Sequence, residues 1–416
     1  MAFLKSASVA LLFGIFLPAI LLAADDNWPR FRGPSQNGHY TGPAIPTKWD
    51  DSSILWKVPL KGFGQSSPVV WGDRIFLTTA TDGGKHRFVF CLARDGGKLL
   101  WEREVKWTGT PEPLHKMNSY ASASCATDGE VVAAFFGRGG LHAFTVEGSH
   151  LWSLELGSFE GPWGTAASPI IVGDLVIQNC DADKDASIIG VEKRTGKVRW
   201  RTPRPNYRGW STPILIEAAG RQELVVNGHE ALTAYDPATG RELWRSRNER
   251  GRGDPSVTFD GKMLYNVCGL AAPMYAVRPG GSGDVTASHV AWSAPRRGGR
   301  DLPSPIVVGG YVLVSNMGGV VNCYDAATGK LAWTSRLSES TVSSSPIAAG
   351  GLAYFLNEAG ETLVVRPGPK FDLVATNALT PQEDETFRAS LTPHAGQMLI
   401  RSNRFLYCIG SRAASR

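Results

Sequence analysis

The chain has 416 residues, is 43% hydrophobic and carries a formal net charge of +5, so it holds enough apolar material to bury an ample core. The charge is small and dispersed, with no basic run longer than Arg296-Arg297, which excludes a basic surface built for nucleic acid. The 47 Gly and 26 Pro point to a chain with many turns.

Residues 1–24 read as a secretory signal. Lys5 is the positive start, Val9 to Leu22 the apolar run and Ala23-Ala24 the small-residue exit. The run is short for a membrane span and contains Pro18. No cysteine follows it before Cys91, so a lipid anchor at the new N-terminus is not expected. The protein is expected to be exported, periplasmic or extracellular in the cell envelope, without a transmembrane span after cleavage. Residues 25–54 form a lead segment outside any repeat. Leu55-Trp56-Lys57-Val58-Pro59-Leu60 then matches the last strand of a repeat unit whose other strands are missing at this end.

Two motifs alternate from there. The first is Ser67-Pro68-Val69-Val70-Trp71-Gly72-Asp73-Arg74-Ile75-Phe76-Leu77, two strands about a Gly-Asp turn. It returns at Ser168, Thr212, Ser304 and Ser345, with degenerate forms at Ser124, Ser256 and Leu391. The second runs from Cys91 to Trp101 and returns near Trp152, Trp200, Trp244, Trp292 and Trp333. Its clearest copy, Tyr324-Asp325-Ala326-Ala327-Thr328-Gly329-Lys330, has a short carboxylate to accept turn N–H groups and a Gly for positive φ. The copy from Ala276 to Trp292 carries a Gly-rich insertion at Gly280-Gly281-Ser282-Gly283. Equivalent positions 68, 124, 169, 213, 256, 305, 346 and 391 set a period of 41 to 56 residues. Four short strands per unit at that period predict an all-β, eight-bladed β-propeller of four-stranded antiparallel blades. Residues 55–410 form the ring, residues 55–60 supply the outer strand of the final blade, and 411–416 are a disordered tail.

Seven of the 13 Trp residues occupy the repeat slot: Trp56, Trp101, Trp152, Trp200, Trp244, Trp292 and Trp333. They read as packing, and Trp333→Ala is expected to cost more than a β-branched replacement of Gly329. The six cysteines read as buried thiols. Cys91, Cys323 and Cys408 share one small-residue slot, and equivalent slots on different blades lie too far apart to bridge. The histidines lack metal-ligand spacing, and neither a phosphate-binding loop nor a Gly-x-Ser-x-Gly elbow is present.

The opening Asn27-Trp28-Pro29-Arg30-Phe31-Arg32-Gly33-Pro34-Ser35-Gln36-Asn37-Gly38, the Ser-Pro strands and the Asp-x-x-Thr-Gly-Lys-x-x-Trp turns resemble exported bacterial, planctomycete-type propellers with pyrroloquinoline-quinone (PQQ)-like repeats. The resemblance covers nearly all of residues 27–410 and implies a quinoprotein-like ring with the repeated tryptophans docked between blades. Quinoprotein alcohol dehydrogenases and a propeller lipoprotein that helps assemble outer-membrane barrels share that architecture.

Function is then expected in the loops leading into the innermost strands, which line one mouth of the channel. These loops carry Gln65, Asn118, Tyr120, Trp163, Arg208, Trp210, Arg252, Asp254, Arg300, Asp301 and Glu385. Tyr120, Trp163, Arg208, Trp210, Arg252, Asp254, Arg300 and Asp301 are the candidate ligand-binding set. The leading expectation is a monomeric, non-catalytic binding or scaffold module for an envelope protein, peptide or glycan, with no cofactor and no catalytic or metal-ligating residues. The alternatives are a PQQ- and calcium-dependent oxidoreductase and a structural subunit of an outer-membrane assembly complex. The resemblance implies that the dehydrogenases carry adjacent cysteines bridged over the cofactor, and this chain has no neighbouring pair.

Overall fold

Each Asp-x-x-Thr-Gly turn closes on itself before any long-range contact is needed. In the clearest copy Asp325 Oδ1 accepts the Thr328 N–H at 2.9 Å, and the Gly329 N–H donates to Asp325 O at 2.8 Å. The flanking strands Val320–Asp325 and Leu331–Arg336 pair antiparallel, with Cys323 opposite Trp333. That register explains the small-residue slot. Cys91, Ala143, Gly190, Ala234 and Ala276 likewise face Trp101, Trp152, Trp200, Trp244 and Trp292, while Cys408 faces Trp56. An indole needs a cross-strand neighbour with almost no side chain. All six cysteines are buried and free, and burial pushes the Cys125 thiol up to about 12.

The computed structural model describes residues 26–249, 251–269, 272–296, 300 and 302–411. The expected signal at 1–24 lies outside them, as does most of the 411–416 tail. Eight sheets, each containing four antiparallel strands, form a closed ring, and in seven of them the four strands run in chain order from the axis outwards. Closure occurs as the sequence predicts, one residue earlier: Ile54–Pro59 pairs antiparallel with Phe405–Ile409 as the outer strand of blade 8. Two short strands add to this plan. His39–Tyr40 joins the innermost strand of blade 7, and Gly283–Asp284, from the insertion in blade 5, joins the outer strand of blade 4.

Neighbouring blades lock through the repeat tryptophans. The indoles of Trp101, Trp152, Trp200, Trp292 and Trp333 donate to carbonyls of the next blade, at Val146, Lys193, Pro237, Ala326 and Gly368. Gly329 combines φ +72° with a close approach, since a Cβ there would stand 2.5 Å from Trp292 Cε3. Burial along the series is uneven and corrects one expectation. Trp333 is only half-buried, whereas Trp244 is fully buried and donates to Glu223 Oε2 of its own blade at 2.8 Å. The inserted segment of blade 5 covers Trp244, so it carries the largest packing load.

The lead segment crosses one end of the channel and bonds to all eight blades. Trp28 exchanges two backbone hydrogen bonds with Val70 of blade 1, and Pro29 O accepts from Thr127 of blade 2. Arg30 donates to Ile171 O of blade 3, while Gln36 donates to Pro213 O and accepts from Leu215 in blade 4. Arg32 reaches Thr258 Oγ1 of blade 5 and Pro305 O of blade 6. Gly38 O accepts from Ala348 of blade 7, and Asp26 O bonds to His394 of blade 8. Arg32 is buried, and desolvation lowers its pKa to about 9.

Candidate functional site

One hydroxyl from each blade faces the axis, and together they form a closed ring. The Ser67 N–H donates to Ser124 Oγ at 2.8 Å, Ser124 to Ser168 at 3.0 Å, Ser168 to Thr212 at 3.0 Å and Thr212 to Ser256 at 2.9 Å. Ser256 continues to Ser304 at 3.0 Å, Ser304 to Ser345 at 3.0 Å, Ser345 to Ser390 at 2.9 Å, and Ser390 returns to Ser67 at 3.0 Å. These are the Ser or Thr residues that begin the repeated inner strands. A hydroxyl stands at this slot in all eight units; in the last one, where the sequence places the motif at Leu391, it belongs to the preceding Ser390.

The ring walls a cavity of about 190 Å³ on the axis. Phe31 of the lead segment lines it from the crossed end, and the loops leading into the inner strands line the opposite mouth. Trp163 is the centre of that mouth. His115 packs against its ring at 4.7 Å, and the guanidinium groups of Arg252, Arg300 and Arg208 lie 4.9, 5.3 and 6.0 Å from its ring centre. Such cation–π contacts stabilise by about 0.5–2 kcal/mol each, more when desolvated. The loop is fixed from two sides: Asn118 Nδ2 donates to Trp163 O at 2.7 Å, and Trp210 Nε1 to Gly164 O at 2.8 Å.

Of the residues expected at the mouth, Trp163, Trp210, Asp254 and Arg300 line the cavity, and Arg252 lies against Trp163. Gln65 and Asn118 line it too. Arg208 stands at the rim, paired with Asp183 at 2.9 Å. Tyr120 is a correction: it does not reach the cavity. It packs beside the buried Arg87–Glu112 pair and donates to Glu112 O at 3.0 Å, a contact within the long loop between blades 1 and 2. Glu385 is likewise buried elsewhere, accepting from Tyr407 Oη at 2.7 Å. Asp301 lies outside the described residues. The sequence reading missed His115, Met117 and Arg388, which line the cavity from irregular loops with no repeat to mark them.

Among the described residues the charges at the mouth are unbalanced. Arg388 pairs with Glu358 at 3.0 Å, and Arg208 with Asp183. Arg252 and Arg300 have no ion pair within 4 Å among the described residues. Asp254 is buried with both carboxylate oxygens unpartnered. Burial raises its pKa to about 7, with Arg300 and then Arg252 opposing that rise. Partial burial and the surrounding cations hold His115 below the ordinary histidine value.

The raised Asp254 pKa has a stability consequence with a definite sign. The folded state holds the proton more tightly than the unfolded chain, whose Asp titrates near 3.9. The stabilisation is therefore complete below about pH 4 and is lost as pH rises through about 7. Asp254→Asn should leave stability nearly unchanged at pH 3.5 and raise it by up to about 4 kcal/mol at pH 8. Denaturant unfolding of both proteins at the two pH values measures this. A gap that does not change with pH would refute the buried-carboxyl assignment.

The family model described as outer membrane protein assembly factor BamB matches residues 41–179, 184–276 and 232–366. The chain belongs to that family. Within the BamB family it is similar to the assembly factor of Burkholderia pseudomallei, 24% identical over 326 residues that cover 72% of this chain and 75% of that one. The match to the Alkalilimnicola ehrlichii factor is 24% identical, covers 48% of this chain and spans about half (51%) of that relative's length. Among solved structures, BamB from Moraxella catarrhalis aligns with a TM-score of 0.62 at 16% identity, covering 86% of this chain and 99% of that one. The quinohemoprotein alcohol dehydrogenase from Comamonas testosteroni aligns at 0.68 and 11% identity, covering 95% and 82%. These last two likenesses show the fold alone.

The described residues at the mouth do not gather the ligands that PQQ with Ca²⁺ would require. A Ca²⁺ site needs six to eight oxygen ligands, several from carboxylates. Among the described residues Asp254 is the single carboxylate lining the cavity, with two cationic arginines beside it. No group of three or more His, Cys, Asp or Glu is gathered for a metal among the described residues.

Proposed function

We propose that the protein is an exported, non-catalytic scaffold of the cell envelope that holds a partner protein at the open mouth of its axis. The observation that carries this reading is the one-ended axial pocket. The lead segment bonds to every blade across one end, while an aromatic residue surrounded by arginines stands at the other. Pockets with an apolar wall and a few convergent polar groups are built for binding. Membership of the BamB family supports an envelope role, as does the signal read at residues 1–24. No helix among the described residues is long and apolar enough to cross a membrane. Membership of an outer-membrane assembly complex is the finer form of the same reading.

The test is site-specific photo-crosslinking in envelopes, with the probe at Met117 on the rim and, for comparison, at Thr328 on an outer turn. The rim probe should join one defined envelope protein that the outer-turn probe does not reach. Equal labelling from the two positions would refute docking at the mouth. Purified protein mixed with PQQ and Ca²⁺ should not reduce a dye with alcohols or aldose sugars, and turnover that depends on Asp254 would overturn the non-catalytic reading.

A further inference from the structure

Buried polar atoms rarely lack partners, so a cluster of them at one place defines what a missing ligand must offer. Around the mouth Arg252 Nε and Nη1, Arg300 Nε and Trp163 Nε1 are buried donors without an acceptor among the described residues. Each of the eight ring hydroxyls accepts an N–H from its neighbour, and none has an acceptor for its own proton among the described residues. Against this set of donors the cavity presents one unpartnered acidic group, Asp254, which is more than nine-tenths buried. The rim arginines Arg208 and Arg388 already have carboxylate partners. Arg252 and Arg300 have none among the described residues.

Building on the scaffold reading, we propose that the axial pocket is a carboxylate-binding site, which takes a glutamate or aspartate side chain from an acidic segment of the partner. A carboxylate has about four lone-pair sites, which match the four unpartnered donor nitrogens of Arg252, Arg300 and Trp163, and hydrogen bonds between charged groups are roughly twice as strong as neutral ones. The planar guanidinium fork matches a carboxylate. Size narrows the choice further. A cavity of about 190 Å³ is of the order of the ~150 Å³ void that admits a benzene ring, so it receives a single side chain and excludes a nucleotide or a folded element. Phe31, Met117 and Leu302 give the methylene groups of that side chain an apolar wall. Asp254 in its neutral form adds a donor without repelling the guest.

Isothermal titration of the full chain decides the matter with four probes: a capped pentapeptide with one central glutamate, its glutamine counterpart, free glutarate and inorganic phosphate. The glutamate peptide should bind at least tenfold more tightly than the glutamine peptide. Arg252→Gln and Arg300→Gln should each weaken it about tenfold or more. Arg300→Lys should fall between, because it keeps the charge without the fork. Arg194→Gln, on the outer surface and paired with Glu130 at 2.7 Å, should bind as the parent does. Melting curves identify any variant that has not folded. Equal binding of the two peptides, parental affinity in both Gln variants, or tighter binding of phosphate than of either carboxylate would overturn the assignment. Binding of glutarate with the peptide excluded would overturn the peptide source. Rim crosslinks that persist without glutamate binding would remove this inference and leave the scaffold reading intact. Glutamate binding without a rim crosslink would do the reverse.

Discussion

A chain beginning at residue 61 should lose the cooperative melting transition of the full ring. Two structures disappear together in it. The strand Ile54–Pro59 is the outer strand of blade 8, and without it the Phe405–Ile409 strand is left as a bare apolar edge. The segment that bonds to all eight blades is lost as well, including Trp28, which is 1% exposed, and Trp49, which stacks on Tyr354 at 6.4 Å between ring centres. Removing a buried tryptophan costs about 3–5 kcal/mol, so two of them already approach the 5–15 kcal/mol that separates a typical domain from its unfolded state. The seam retains the Ser390–Ser67 bond, the apolar packing of blades 1 and 8, and side-chain clasps such as Arg401 donating to Ser66 O at 2.8 Å and Thr78 O at 2.7 Å. A chain beginning at residue 50 keeps the closing strand and should melt at an intermediate temperature. Calorimetry of the three lengths orders them, and a melting curve for the shortest that matches the full chain would refute closure by the N-terminus.

Trp244→Ala should be the most damaging single change among the repeat tryptophans, at about 3–5 kcal/mol. The side chain is fully buried, and its loss opens a void between blades 4 and 5 among Leu232, Val257 and Val277. Glu223, itself fully buried, would lose its indole donor and keep Arg221 at 2.8 Å and the Gly280 N–H at 3.2 Å. Trp333→Ala removes a half-buried ring whose main neighbours are Phe371 and the Gly368 carbonyl, and should cost about half as much. Urea unfolding of the two variants gives the ratio directly. Equal costs would show that the inserted segment at Gly280–Asp284 does not seal Trp244.

The blades themselves were legible in the sequence because their determinants are local. Asp325, Thr328 and Gly329 settle their turn within five residues, and alternation assigns Trp333 a face before any other blade exists. Repetition at eight positions then supplied blade number, and the orphan strand near Trp56 supplied closure. Trp163 and Trp210 stood out for the same reason in reverse, as aromatics that no repeat slot explained.

What the sequence left undecided depends on ring curvature. Arg208, Arg252 and Arg300 come from the loops entering three different blades, and only closure of eight blades about one axis brings their guanidiniums within about 6 Å of Trp163. Tyr120 sits in an equivalent loop yet turns away, because Arg87 and Glu112 offer its hydroxyl and ring a buried partner that no periodicity announces. The hydroxyls of seven repeats could be read from the sequence, but not the bond from one blade to the next, which spans 41 to 57 residues within the chain and 323 at the seam. Local hydrogen bonding and side-chain alternation therefore determine the blades from sequence, whereas the axial pocket is set by the angle at which the blades meet. That angle is a property of the packed indoles between them, and it exists only in the closed tertiary structure.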